Sequence, residues 1–228
     1  MAKEVKKRHK FLYKVCMLIA KKRFLKRYGL PDEPFDVKDK QVFIIGNHTT
    51  SMDGALLDIY FRRPIFLVTT EFTMSQGFKS WIFRYVFNPI PFAKGTSDMS
   101  SMKRLLTVVK EGGNIALYPE GNFSYNGLTG YIKPSIAKLV KSAKLPLYIV
   151  NTIGTYFENA RWMVSKIYGP SKMIIRKVLY YDEYSKMSNE ELLNIIRENL
   201  QVDHYAYQEK EMNKYVGKDR ALGLERAV

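Results

Sequence analysis

The stretch Ile44-Ile45-Gly46-Asn47-His48-Thr49-Thr50-Ser51-Met52-Asp53-Gly54 joins an apolar run to a helical pattern. The run Val42–Ile45 is short, rich in β-branched residues and ended by glycine, which predicts a strand buried on both faces of a sheet. Helical character begins near Met52. His48 is therefore predicted to lie on a strand-to-helix turn, where parallel α/β sheets place ligands outside the carboxyl ends of their strands.

A second segment repeats this pattern. Asn114–Tyr118 is another short apolar strand, and it ends in Pro119-Glu120-Gly121-Asn122. If the two strands are parallel neighbours, His48, Asp53 and Glu120 meet at one edge of the sheet. The sequence therefore predicts one site built from residues that are far apart along the chain.

Each of these residues also has a structural interpretation. Thr50-x-x-Asp53 matches a helix capping box, so Asp53 could serve only the first helical turn. His48 could be a hydrogen-bonded structural histidine, and Glu120 could be a solvated residue of an ordinary turn. The position of all three just past the ends of buried strands favours a shared site.

The combined motifs resemble a known family. Asn47-His48-x-x-x-x-Asp53, followed by Tyr118-Pro119-Glu120-Gly121, is similar to the glycerolipid acyltransferases of the lysophosphatidic acid (1-acyl-sn-glycerol-3-phosphate) acyltransferase type. The resemblance covers roughly residues 40–155. His-x4-Asp alone is a weak signal, and the Pro-Glu-Gly block after a strand makes it specific.

The resemblance implies transfer of a fatty acyl group from acyl-coenzyme A or acyl carrier protein to the hydroxyl of a lysophospholipid. The acceptor expected first is 1-acyl-sn-glycerol-3-phosphate, which gives phosphatidic acid. His48 and Asp53 are the expected catalytic residues, and Lys94, Glu120, Gly121 and Asn122 are expected at the substrate. No cofactor and no metal is implied.

Two blocks depart from the family pattern. Lys94 stands at or next to an arginine that usually holds the acceptor's phosphate, and a lysine offers a point charge without a bidentate fork. Asn122-Phe123-Ser124 replaces the usual threonine and arginine after Pro-Glu-Gly. Phosphate recognition would then need another cation, such as Lys94 or Lys133, or the acceptor is a different lysolipid.

The residues themselves fit this chemistry. An alcohol needs a base whose pKa is close to neutral, and histidine suits that role when a carboxylate orients its ring. The chain has no Gly-x-Ser-x-Gly elbow, and its only cysteine is Cys16, so no acyl-enzyme is expected. One cysteine and three scattered histidines do not predict a zinc site. The single cysteine also allows no internal disulfide, which indicates a reducing compartment.

The N-terminal segment carries much of the charge. Residues 1–30 hold eleven lysines and arginines against Glu4, which is +10 of the net +15. Residues 3–28 have an amphipathic pattern, and the apolar run Phe11–Ala20 contains Lys14 and is far shorter than the roughly 20 residues of a membrane span. We expect a helix that lies on an anionic membrane surface at its cytoplasmic face, which makes the protein peripheral.

Three alternatives follow from that segment. The apolar stripe could pack on the domain, or the basic helix could bind nucleic acid, although no nucleic-acid motif supports that partner. The whole protein could also be a catalytically silent peripheral membrane protein in which the His48 cluster is structural. The domain organisation predicted is a membrane-anchoring helix in 1–30 followed by one α/β domain in 31–228.

The rest of the chain predicts an α/β fold with a mostly parallel central sheet flanked by helices. His204 is predicted to be a surface residue, and 155–170 to be irregular. After the first helix, strands are predicted at Pro64–Thr69, Leu145–Asn151 and Lys172–Tyr181. Helices are predicted at 72–87, Ser97–Glu111 and Pro134–Lys144, and from Ser188 onward. The segment Asn88–Gly95 occupies the place of the family's second block and is assigned to no element.

Overall fold

The computed structural model describes residues 10–28, 34–70, 83–92, 99–158, 160, 163 and 169–212. Within them the sheet has six strands: β1 Phe43–Gly46, β2 Ile65–Thr70, β3 Ile90–Phe92, β4 Asn114–Leu117, β5 Leu147–Ile153 and β6 Lys172–Leu179. The helices are α1 Lys10–Tyr28, α2 Asp53–Phe61, α3 Met99–Lys110, α4 Ser135–Ala143, α5 Tyr181–Tyr184, α6 Asn189–Leu200 and α7 His204–Glu211. A 3-10 turn, Thr155–Glu158, follows β5.

The sheet order is β3-β2-β4-β1-β5-β6, and every pair is parallel except β5 with β6. The predicted mostly parallel sheet is therefore confirmed. Strand β1 lies between β4 and β5, with Phe43 opposite Ile115 on one side and Leu147 on the other. The carboxyl ends of β1 and β4 are neighbours, as the sequence predicted.

Helices cover both faces of the sheet, which explains why its central strands are apolar throughout. Phe43 and Ile45 point to the face packed by α3, α4 and α6. Val42 and Ile44 point to the opposite face, which is packed by α2 and by Phe24 of α1. The two faces alternate along β1 with the period of two that a strand requires.

The edge strand β6 contains an irregularity. Lys177 pairs with Ile149 and Ile175 with Val150, so that Arg176 is an extra residue, as in a β-bulge. The bulge shifts the alternation by one residue, and Met173, Ile175 and Val178 therefore all contact the same core cluster. The strand ends before Tyr181 because Glu183 accepts a bond from the Tyr180 backbone N–H and α5 begins there.

Helix α1 has apolar residues on two sides. On one side Phe24 is buried, and the Tyr13 hydroxyl donates to Asp58 Oδ2 of α2 at 2.8 Å. On the other side a second apolar set is exposed: Phe11, Leu12, Val15, Leu18 and Ile19. The alternative that the apolar residues of this helix pack on the domain therefore holds for the side that carries Phe24, and not for the exposed set. No helix among the described residues is long and apolar enough to cross a bilayer.

One prediction was wrong, one was tested only in part, and one strand was not predicted. The segment Asn88–Gly95 was assigned to no element, and within it Ile90–Phe92 forms β3, a short edge strand in which proline is tolerated. His204 was predicted to lie on the surface, but it is 1% exposed at the start of α7. The predicted helix 72–87 is helical at 83–87, and its earlier part lies outside the described residues.

Candidate active site

His48 follows directly after β1 and is fixed by its backbone as well as its ring. Its N–H donates to Glu120 Oε1 at 2.8 Å, and its carbonyl accepts from the Ser124 N–H at 2.7 Å. Its Nδ1 lies 2.9 Å from Asp53 Oδ2. The structure therefore brings His48, Asp53 and Glu120 together at one edge of the sheet.

Asp53 is the first residue of α2 and is fully buried. Its Oδ2 also accepts from the backbone N–H groups of Thr49 at 2.8 Å and Thr50 at 3.0 Å. Because donors converge on this oxygen, the bond from His48 is a donation by Nδ1–H, which leaves Nε2 as the ring nitrogen that can take a proton. The geometry is that of a base with an orienting carboxylate.

The capping-box interpretation of Asp53 is half realised. The carboxylate accepts from the Thr50 N–H, as in such a box, but the Thr50 hydroxyl makes no return bond to the Asp53 N–H and instead accepts from Met52 at 3.4 Å. One carboxylate thus orders the turn and holds the imidazole. Ordering of the helical turn by Asp53 is therefore compatible with its predicted role in orienting His48, and that role stays a prediction.

Glu120 uses both carboxylate oxygens. Oε1 accepts from His48, and Oε2 accepts from the Gly130 N–H at 2.6 Å, so the side chain ties the end of β1 to the far side of the loop 121–130. Burial raises the pKa of Glu120 above its usual value, while the two N–H donors oppose that shift. Substrate binding by Glu120 stays a prediction.

Two aromatic rings enclose the imidazole. The Tyr118 ring stacks on it with a centroid distance of 4.4 Å and an interplanar angle of 14°. The Phe123 ring meets it edge-on at 4.3 Å and 62°. Burial raises the pKa of Tyr118 well above its usual value, and Asp53 and Asp58 add to the shift, so the phenol stays neutral. The His48 side chain is left 21% exposed.

Buried polar contacts support the strand ends. Asn47 exchanges two bonds with the backbone of Thr152 on β5, at 3.0 and 2.8 Å. The Thr49 hydroxyl lies 2.6 Å from that of Thr155 in the turn after β5. These contacts hold the residues on either side of His48 against a neighbouring strand, so the ring is presented from a rigid base.

The remaining predicted residues lie on or near the loop after β4. Gly121 has a positive φ of 67°, and its N–H donates to the Tyr118 carbonyl at 3.0 Å, so that amide is engaged within the turn. Asn122 and Lys133 are exposed. Lys94 lies outside the described residues. The structure thus places Gly121 and Asn122 beside Glu120, and their roles stay predictions.

Sequence reasoning missed the ring contact of Phe123 with His48. It considered Phe123 only as the replacement of an arginine that the family usually has at this position. It also missed the contacts of Asn47 and Thr155, because both depend on β5 lying next to β1. Asparagine directly before the histidine, at the end of a buried strand, was the available signal. Among the residues that the structure describes, no group of three His, Cys, Asp or Glu side chains could hold a metal.

A family model described as Acyltransferase matches residues 21–152, more than half of the chain. The chain belongs to this acyltransferase family. The matched segment contains His48, Asp53 and the Pro-Glu-Gly turn. The predicted resemblance is therefore confirmed, and the protein is an acyltransferase.

The fold of this acyltransferase is also similar to a solved structure. The crystal structure of the 1-acyl-sn-glycerophosphate (LPA) acyltransferase PlsC from Thermotoga maritima matches with a TM-score of 0.66 and 19% sequence identity. The match covers 89% of this chain and 80% of the Thermotoga chain. At that identity the likeness concerns the fold, and it extends beyond the segment that the family model covers.

Proposed function

We propose that this acyltransferase moves a fatty acyl group from an acyl thioester to the hydroxyl of a lysophospholipid, with 1-acyl-sn-glycerol-3-phosphate as the first expected acceptor and phosphatidic acid as the product. The observation that carries the proposal is the bond between His48 Nδ1 and Asp53 Oδ2, which leaves Nε2 as the ring nitrogen that can take a proton. The similarity to the Thermotoga 1-acyl-sn-glycerophosphate acyltransferase supports this substrate class.

In the proposed mechanism Nε2 of His48 takes the proton of the acceptor hydroxyl as its oxygen attacks the thioester carbonyl carbon. Asp53 accepts the Nδ1–H bond throughout and stabilises the imidazolium that forms. The C–S bond then breaks, and the imidazolium gives its proton to the leaving thiolate. The products are the ester and the free thiol, and the protein itself is never acylated.

The acceptor's headgroup is the finer part of the proposal. Phe123 packs against His48 and cannot pair with a phosphate, whereas Lys133 is exposed shortly after the loop. Lys133 and Lys94 are the cations proposed to receive a phosphate, alongside Glu120, Gly121 and Asn122 at the glycerol. Acyl-coenzyme A and acyl carrier protein are both anionic and suit a basic protein. No cofactor or metal takes part in the proposed reaction.

His48→Ala tests the chemistry. Thiol release and ester formation are measured with both donors against a panel of lysolipids, and the variant should lose at least about a hundredfold in rate, the range of general-base catalysis. Asp53→Asn should show a large loss as well, and Asp182→Asn, an exposed carboxylate on α5, serves as its matched control. An unchanged rate in folded His48→Ala protein would remove the proposal.

We propose further that the exposed side of α1 binds an anionic membrane at its cytoplasmic face, with residues 3–28 as the contact. Leu18 and Ile19 are exposed on a helix whose Lys14, Lys22, Arg23 and Lys26 are also exposed. An apolar side with Lys14 and Arg23 beside it and Lys22 and Lys26 in the turns that follow suits the boundary between headgroups and acyl chains.

The membrane proposal predicts that Leu18→Glu combined with Ile19→Glu weakens sedimentation with phosphatidylglycerol vesicles, since two apolar contacts are replaced by charges that anionic lipid repels. Met212→Glu, at an exposed apolar residue after α7, is the control. Equal binding of both variants would contradict the proposal. Vesicle binding by a wild-type protein that releases no thiol would instead support the silent membrane protein.

A further inference from the structure

The site holds a histidine base that would activate water as readily as it activates a lipid hydroxyl. Attack by water on the thioester carbon breaks the same C–S bond and gives a fatty acid and a thiol. A transferase with this base therefore needs a means of excluding water from Nε2. The surroundings of the His48 ring supply one.

The ring of His48 is closed on three sides. Nδ1 is bonded to the buried Asp53, one face is stacked on Tyr118, and the Phe123 ring meets the imidazole edge-on. The exposed fraction of the His48 side chain is 21%. The phenol of Tyr118 is neutral and its hydroxyl is buried, so the wall on that face is an aromatic surface.

Phe123 is held in this position by the loop that carries it. The next residue, Ser124, donates its N–H to the His48 carbonyl, and the Ser124 hydroxyl donates to the Leu128 carbonyl at 2.7 Å. Further along, Gly130 is bonded to Glu120. Two attachments to the end of β1, one direct and one through Glu120, keep the Phe123 ring against the imidazole.

We propose that Phe123 is a specificity-determining residue that excludes water from His48 and so directs the acyl group to the lipid hydroxyl rather than to hydrolysis. The inference rests on the proposed acyl transfer. An apolar ring can contact an acceptor that carries an acyl chain next to its glycerol hydroxyl, and it offers water no hydrogen-bonding partner. Loss of the ring opens a space beside the imidazole that water can occupy.

The test measures thiol release from an acyl thioester without acceptor, and the ratio of free fatty acid to phospholipid product with acceptor vesicles present. Phe123→Ala should raise this ratio by about tenfold, which corresponds to about 1.4 kcal/mol between the two competing barriers. Phe123→Leu, which keeps an apolar side chain and most of the volume, should raise it less. Tyr125→Ala is the control, because Tyr125 is an aromatic residue of the same loop that is 55% exposed.

The double variant His48→Ala with Phe123→Ala should lose the added hydrolysis, because the water is activated by His48. An unchanged ratio in folded Phe123→Ala and Phe123→Leu proteins would overturn the inference, and so would hydrolysis that persists without His48. If the wild-type protein transfers no acyl group to any lysolipid, the proposed function fails. The inference about Phe123 then fails with it, whereas acyl transfer by the wild-type protein together with an unchanged ratio in the Phe123 variants overturns the inference alone.

Discussion

His204 is a buried histidine outside the proposed reaction, and it makes the stability of the protein depend on pH. Its Nδ1 accepts a bond from the Gly154 N–H at 3.2 Å, and its ring contacts those of Tyr156 and Phe157. Burial lowers the pKa of His204 to about 4, against a smaller opposing effect of the Asp203 carboxylate. The folded protein therefore keeps this imidazole neutral.

The sign and size of the effect follow from linkage. The unfolded chain protonates His204 as the pH falls through 6.5, whereas the folded protein does so only near pH 4. The contribution of neutral His204 to the free energy of unfolding is complete above pH 6.5. It is lost between pH 6.5 and 4, because in that window the unfolded state binds a proton that the folded state does not. Between pH 7 and pH 5 the two pKa values give a loss of about 2 kcal/mol in the free energy of unfolding.

The variant His204→Asn isolates this contribution. Asparagine places an oxygen near the position of Nδ1, so it can still accept the Gly154 bond, but it does not titrate. We expect urea unfolding of the wild-type protein to lose about 2 kcal/mol more than the variant between pH 7 and pH 5. The other titrating groups are shared and cancel in this comparison. Parallel pH profiles for the two proteins would refute the reasoning.

Two further predictions concern stability away from that histidine. Asn47→Ala leaves the Thr152 N–H and carbonyl unpaired in a buried position, so the free energy of unfolding measured in urea should fall by about 3 kcal/mol. A fall of less than about 1 kcal/mol would contradict the stabilising role of the two bonds between Asn47 and Thr152. Ser188→Ala removes the bond from the Glu191 N–H at the start of α6, which should lower the melting temperature through a loss of about 1 kcal/mol without any change in acyl transfer.

The sheet and the meeting of His48 with Glu120 could be predicted because both depend on local signals. A buried apolar run that stops at a polar residue marks a strand end, and the parallel arrangement brings such ends to one edge. The helix predicted from Ser188 onward rests on the same kind of short-range pattern, and it begins at Asn189 after a capping box between Ser188 and Glu191. Each signal lies within a few residues of the chain, and the parallel order of the strands then brings His48 to Glu120, 72 residues away.

The features that sequence reasoning missed depend on the tertiary arrangement. His204 looked exposed because its neighbours are tyrosines and charged residues, yet Asp203 starts a helix there and turns the ring into the structure. Strand β3 is three residues long and contains Pro91, so its pattern is too short to distinguish from a loop. The ring contact of Phe123 depends on a loop whose path no periodicity specifies.

The path of that loop is set from both ends, and this explains why the chain beyond the family match matters for the site. At its start Glu120 and Ser124 bond to His48, and near its end Thr129 donates to the Leu200 carbonyl and accepts from the Val202 N–H. The Gly127 carbonyl accepts from the His204 N–H at 3.0 Å, between those two attachments. A segment after α6 thus fixes the loop that carries Phe123, and the histidine that is predicted to lower stability at low pH is bonded to that same loop.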